Sequence, residues 1–223
     1  MKVKSNGIDV VIRMENGYPD EAIVQVAGQV NASMIVVGTR GLTGFKRFLL
    51  GSVAEKIVRT SPTNVVVARG EPSEFSRLLV ATDFSPASER ALQVAMALAS
   101  PNAHIDVLHA WQYPPGIRGA VEPTPSEGPL VSVARDIIHR AERLGEALTK
   151  RYASDTRTVT FTNVFGPPGA IIHERLESNS YDMVAMGTHG HRGFRRFLLG
   201  SVAEATVRHA PCSVLVTHTA NAD

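Results

Sequence analysis

Met183-Val184-Ala185-Met186, then Gly187-Thr188-His189-Gly190, then nine residues, then Gly200-Ser201 and Val202-Ala203-Glu204-Ala205-Thr206-Val207-Arg208: this stretch decides the fold. Four apolar residues in a row suit a strand covered on both faces. The glycines that follow suit a tight turn, and the register from Ser201 onward suits a helix. The same phrase occurs earlier as Gly38-Thr39-Arg40-Gly41, nine residues, Gly51-Ser52 and Val53-Ala54-Glu55. The offset is 149 throughout, and sixteen of the twenty-two positions from Gly38 to Arg59 are identical in the later copy without a gap. The chain therefore contains an internal repeat, and any account of one copy must serve for both.

The chemistry of the spacing points to an anion. Gly187 is expected to turn the chain with φ > 0, and Gly190 to let a ligand approach the main chain. Ser201 with Glu204, and Ser52 with Glu55, form capping-box patterns at the start of a helix. The first amides of a helix have no partner within it and carry its positive end, so they attract phosphate or carboxylate. Arg192, Arg195 and Arg196 lie between the glycines and can add charge-assisted bonds. The same residues equally suit a tight turn and a capped helix that hold no ligand.

Around this stretch the chain alternates strands and helices. Residues 8–12, 34–37 and 65–67 read as strands, with helices over 19–27 and from Ser52 to about Ser61. Gly70-Glu71-Pro72-Ser73 reads as a linker. A longer series follows. Leu78–Thr82 reads as a strand ending at Asp83, and Ser85 and Pro86 as the N-cap and first residue of a helix. Strands follow at 105–110, 159–164, 183–186 and 213–217, and helices at 130–152, 169–176 and 201–210. Tyr113 to Pro129, with five prolines and three glycines, reads as a loop. Residues 76–219 are thus a complete β-α-β-α-β-α-β-α-β unit, expected to form a parallel sheet with helices on both faces. Residues 1–70 match only its carboxyl half, and nothing in them corresponds to Asp83 or Ala110. Asp83, His109-Ala110 and Gly187-Gly190 all fall at carboxyl ends of expected strands, where open α/β sheets bind ligands.

Composition narrows the function classes. Apolar residues at 43% and charged residues at 20% are ordinary for a globular chain, and the net charge is +2. No dense basic run interleaved with aromatics argues for nucleic acid. No apolar run reaches membrane-spanning length, and Met1–Asn6 lacks the apolar core of a signal peptide. A reducing, cytoplasmic setting is expected. The single cysteine, Cys212, opens an apolar run and reads as a buried small residue. His189-Gly190-His191 offers two metal ligands, too few for zinc without a Cys or acid cluster.

The full unit resembles a universal stress protein domain. Val80-Ala81-Thr82-Asp83-Phe84-Ser85 resembles the family's opening strand, and Gly187-x2-Gly190-x9-Gly200-Ser201 matches the signature of its ATP-binding branch. The resemblance implies a five-stranded sheet in the order 3-2-1-4-5. It implies adenine contacts from the backbone near Ala110 and around Ala81 and Thr82, with Asp83 near the ribose or a Mg2+. It implies triphosphate contacts from Gly187, Thr188, His189, Gly190, Arg192, Gly200, Ser201 and Val202, and a second phosphate site at Gly38, Arg40, Gly41, Gly51 and Ser52. The implied function is a regulatory protein that binds ATP, alone or with Mg2+. The alternatives are a slow ATPase or adenylyl-transfer enzyme, and a ligand-free dimeric interaction protein. No catalytic residue is singled out. The resemblance also implies pairing through the last strands, Val65–Val67 and Val214–Val216, within the chain or in a homodimer.

Overall fold

The apolar runs build one sheet. The computed structural model describes residues 2–5, 7–39, 50–70, 74–113, 130–188 and 199–218. Its carboxyl-terminal part holds β5 (Phe75–Thr82), α3 (Pro86–Leu98), β6 (Ala99–Trp111), α4 (Leu130–Tyr152) and β7 (Thr158–Phe165). These are followed by α5 (Pro168–Ser178), β8 (Met183–Gly187), α6 (Ser201–His209) and β9 (Ser213–Thr217). These five strands lie side by side as β7-β6-β5-β8-β9, all parallel, which is the implied order. The loop expected from Tyr113 to Pro129 lies, from residue 114, outside the described residues.

Alternation of side chains across the strands divides the core in two. Leu79, Val184, Val214 and Val216 share one cluster with Ile172 and Leu176 of α5 and Val207 of α6. Leu78, Val80, Ile105, Met183 and Leu215 face the other way, with Ala91, Leu92 and Ala95 of α3. Burial on both faces is why these strands are continuously apolar. β6 begins at Ala99, earlier than its apolar run suggests. Ala99 pairs with Phe75, and the register then shifts before Arg77 pairs with His104. β7 reaches only as far back as His104, so Pro101 lies where β6 has no second neighbour to which a ladder hydrogen bond is owed.

The amino-terminal segment adds β3 (Met34–Gly38) and β4 (Asn64–Ala68), parallel to each other, with α1 (Pro19–Gln29) and α2 (Ser52–Thr60). β4 pairs antiparallel with β9, Val65 opposite Val216 and Val67 opposite Val214, so the sheet has seven strands in the order β3-β4-β9-β8-β5-β6-β7. The two last strands are thus consumed within one chain and are not edges for a homodimer. Two ion-pair sets straddle this seam. Arg59 bonds Glu204 at 2.9 Å and Glu55 at 3.3 Å, while Arg208 bonds Glu55 at 3.1 Å and Glu204 at 3.3 Å. Arg69 donates to the carbonyl oxygen of Val207 at 2.6 Å, adding a cation to the carboxyl end of α6.

Residues 8–12 depart from the repeat. β2 (Ile8–Val11) pairs antiparallel with β1 (Lys2–Ser5), an element with no counterpart in the repeat pattern, and joins neither β3 nor the main sheet. In the complete unit, the counterpart of β2 is β7, which pairs with β6. The amino-terminal segment has no counterpart of β6. The chain pairs locally instead, with Ser5 opposite Ile8 and Gly7 at φ +80°, a backbone that favours hairpin turns.

α4 approaches β7 closely at Gly145. A Cβ there would sit 2.2–2.4 Å from three atoms of the Phe161 ring. Gly145→Ala is expected to lower stability by about 1–3 kcal/mol, the scale of overpacking, despite alanine's better helix propensity. A urea midpoint equal to or above that of the wild type would contradict this packing.

Candidate functional site

The site begins where β5 ends. Thr82 is buried, and its hydroxyl accepts from the Phe84 amide at 3.0 Å and bonds the Ser88 hydroxyl at 3.1 Å. Its side chain is committed to the turn, so Ala81 and Thr82 offer a ligand only backbone. Asp83 Oδ1 accepts from the Ser85 amide at 3.0 Å, and Ser85 Oγ accepts from the Ser88 amide at 3.3 Å as the N-cap of α3. Phe84 sits at φ +61°, a left-handed conformation costly for a bulky residue. Such strain persists only where surrounding contacts enforce it. Here the Phe84 ring centroid lies 4.8 Å from that of His109 and 6.0 Å from that of Phe161, tilted against both.

His109 extends the wall across β6. It lies opposite Thr82 on one side and Asn163 on the other. Its Nδ1 donates to the Asn163 side-chain oxygen at 2.9 Å, which fixes the tautomer. Burial holds the imidazole below its ordinary range, outweighing the Asn163 hydrogen bond and the Asp83 carboxylate that favour the cation. Ala110 follows directly, half-buried and opposite Val164. Phe84, His109 as a side chain and Asn163 were not among the expected site residues. The signal for His109 was its place at a strand's carboxyl end.

The described ends of the glycine motif, at Gly187-Thr188 and Gly200, lie at the end of β8 and the start of α6. Gly187 is not at positive φ, against expectation. Its need for glycine is a matter of space: a Cβ would lie 2.7 Å from Ala87 Cβ and 2.9 Å from the Ala87 carbonyl carbon. The first turn of α3 packs on the end of β8, and only glycine permits it. Buried Thr188 donates from its amide to the Thr217 carbonyl at 3.0 Å and accepts from the Gly200 amide at 2.8 Å. Gly51 donates to Thr39 in the same way at 2.9 Å. A Cβ on Gly200 or Gly51 would crowd that acceptor oxygen at 3.1 or 3.2 Å. The last glycine of each motif, Gly200 or Gly51, is therefore the point where the two ends of the loop are pinned together.

The capping boxes do not form. Gly200 and Gly51 are the N-caps, Ser201 and Ser52 are the first helical residues, and no side chain caps either helix. Glu204 and Glu55 are drawn to the arginines across the β4–β9 seam. The first intrahelical bond of α6 runs from the Glu204 amide to Gly200, which leaves the amides of Ser201, Val202 and Ala203 without helical acceptors. His189, Gly190, Arg192, Arg40 and Gly41 lie outside the described residues.

β5 and β8 are neighbours, Leu78 opposite Met183 and Val80 opposite Ala185, so Asp83 and the glycine loop open at the same end of the sheet. The first glycine set has no such companion: beyond β3 no strand follows among the described residues. Gly38, Gly51 and Ser52 therefore keep a helix start and lack a facing wall. No cluster of three His, Cys, Asp or Glu among the described residues could hold a metal. Cys212 is buried, and burial pushes its thiol up to about 11, so it is protonated at neutral pH and is no nucleophile. No described helix is long and apolar enough to cross a membrane.

The model of the universal stress protein family matches residues 1–69 and 74–218. The chain belongs to the universal stress protein family. A universal stress protein of Staphylococcus haemolyticus is 42% identical over 86 residues, covering 36% of this chain and 52% of the relative. One from Staphylococcus aureus is 42% identical over 77 residues, covering 33% and 46%. The chain spans about half the length of the curated relatives it matches. Among solved structures, a universal stress protein from Archaeoglobus fulgidus is similar with a TM-score of 0.62 at 25% identity, over 94% of this chain and 70% of that one. A universal stress protein from Pseudomonas aeruginosa shares the fold with a TM-score of 0.63 at 17% identity, over 92% and 69%.

Because folded His109 resists protonation, acid favours the unfolded chain. As pH falls below its ordinary value of 6.5, the unfolded state takes up the proton first and stability declines. Between about pH 7.5 and about pH 5.5, His109→Gln is expected to lose less stability than the wild type, read as the change in urea midpoint. Equal losses would remove His109 from the acid response.

Proposed function

We propose that this universal stress protein is an adenine-nucleotide-binding regulatory module, taking ATP, alone or with Mg2+, at one site per chain. The observation that carries this reading is the shared opening of Asp83 and the Gly200-capped start of α6 at the carboxyl end of the β5–β8 pair. The uncapped amides of Ser201 and Val202 suit a phosphate, and the carboxylate of Asp83 suits a ribose hydroxyl or a Mg2+ carried by the nucleotide. Backbone at Ala81, Thr82 and Ala110 is left to read the base. Gly187, Thr188, His189, Gly190 and Arg192 complete the loop around the phosphates. Residues 76–219 form the binding domain. Residues 1–70 are an incomplete copy whose Gly38, Arg40, Gly41, Gly51 and Ser52 lack the facing wall that would hold a base. The protein acts in the cytoplasm as a sensor of nucleotide and not as a dedicated enzyme.

Purified chain, denatured and resolved for nucleotide, is expected to release ATP near equimolar with protein. Mg-ATP is expected to raise the melting temperature by mass action. Asp83→Ala is expected to weaken binding at least roughly tenfold, about 1.4 kcal/mol, while Gly190→Glu abolishes it. Failure of wild-type chain to bind any adenine nucleotide in calorimetric titration would leave a ligand-free interaction protein. Steady ADP release above the Gly190→Glu background would make it an ATPase.

A further inference from the structure

The arginine–glutamate set at the β4–β9 seam is crossed. Arg59 and Arg208 each lie one turn after a glutamate of their own helix, Glu55 and Glu204, at the spacing that pairs them within a helix. In the folded chain each arginine is nearer to the glutamate of the other helix. Arg59 Nη2 stands 2.9 Å from Glu204 Oε1 but 3.3 Å from Glu55 Oε1. Arg208 Nη2 stands 3.1 Å from Glu55 Oε1 but 3.3 Å from Glu204 Oε1. Two cations and two anions thus form a neutral ring, with side chains between 30% and 42% exposed.

Glu204 is the member that bears on the candidate site. It stands in the first turn of α6, three residues after Ser201, whose amide is one of three at this helix start without a helical acceptor. Ser-x-x-Glu is the spacing at which a glutamate carboxylate turns back and accepts from the amide that opens the helix. A carboxylate there would take the place of a phosphate oxygen, competing for the same N–H and repelling the ligand. In the structure no side chain caps α6, and the shortest bond of the ring holds Glu204 to Arg59. The antiparallel joint of β4 and β9, Val66 opposite Leu215, is what brings Arg59 to a residue 145 positions away. Without Arg59 the ring would leave one cation between two glutamates, and Arg208 already lies nearer to Glu55.

We propose that Arg59, in the amino-terminal segment, is a positioning residue for the nucleotide site of the complete unit: it holds Glu204 off the Ser201 amide and so keeps the start of α6 open to phosphate. This rests on the nucleotide reading of that site. The incomplete copy, which lacks a facing wall of its own, thereby contributes to the site of the complete one through a single side chain.

The test combines two readouts on the full-length chain: Mg-ATP affinity by calorimetric titration at low salt, and the Ser201 amide proton resonance without nucleotide. Arg59→Gln is expected to weaken Mg-ATP binding roughly fivefold, the scale of one charge at a helix start. It is also expected to move the Ser201 amide proton downfield, as a new bond to a carboxylate does. Adding Glu204→Gln to Arg59→Gln is expected to return both readouts to wild-type values, a rescue that a merely structural role for Arg59 would not give. Arg59→Lys keeps the charge and is expected to retain most of the affinity. Ion pairs this exposed contribute little to stability, so every variant is expected to keep a urea midpoint close to that of the wild type. An unmoved Ser201 resonance in Arg59→Gln overturns the proposal, whether or not the chain binds nucleotide. So does a loss of affinity that Glu204→Gln fails to rescue. If the wild type binds no adenine nucleotide while the Ser201 resonance still moves and returns, the nucleotide reading falls and the hold of Arg59 on Glu204 stands.

Discussion

The parallel ladder between β5 and β8 is the contact on which the rest depends. It puts the first strand of the complete unit beside its fourth, and such a reversal of strand order is where open α/β sheets bind ligands. Asp83 leaves one strand and Gly187 the other at the same end. The closeness of the pair is enforced by α3, whose Ala87 sits against Gly187 so tightly that no side chain fits there. The helix capped by Ser85 is thus also the helix that demands the first glycine of the motif.

The amino-terminal segment shows what happens when that ladder is absent. It keeps the strand, the glycines and the helix start, and Gly51 repeats the bond of Gly200 almost to the tenth of an ångström. Without a strand equivalent to β5, Val36 is left exposed where Ala185 is buried, and residues 8–11 pair in a local hairpin. The repeated sequence therefore gives the same pinning bond at Gly51 and Gly200 but not the same environment. The segment gains its stability from β4, which is buried against β9 and clasped by the arginine–glutamate set.

Polar groups follow the same logic at the opposite end of the sheet. Asp106 accepts from Thr160, from the Tyr181 hydroxyl at 2.7 Å and from His104 at 2.9 Å. Burial alone would raise this carboxyl, but the three donors outweigh it and hold it below its ordinary range. Asp182 likewise accepts from the amides of Ser76 and Arg77, each at 2.8 Å. These contacts hold β6 to β7 and the starts of β5 and β8 together, away from the candidate site at the carboxyl ends.

What the sequence determined by itself was the repeat, the alternation of strands and helices, and the convergence of Asp83, His109-Ala110 and Gly187 at strand ends. Apolar runs and turn residues are local signals, and they were enough for the fold class and for most of the candidate site. Tertiary structure decided the rest. Gly187 read as a turn residue because sequence shows flexibility and not the approach of Ala87 from a distant helix. Ser201 and Glu204 read as a cap because their spacing is right, but Arg59, far away in sequence, competes for the glutamate across a seam that only the folded sheet creates. Phe84 and Asn163 carried no local mark at all. Their places beside His109 depend on ring contact and strand register, and register is a property of which strands lie side by side.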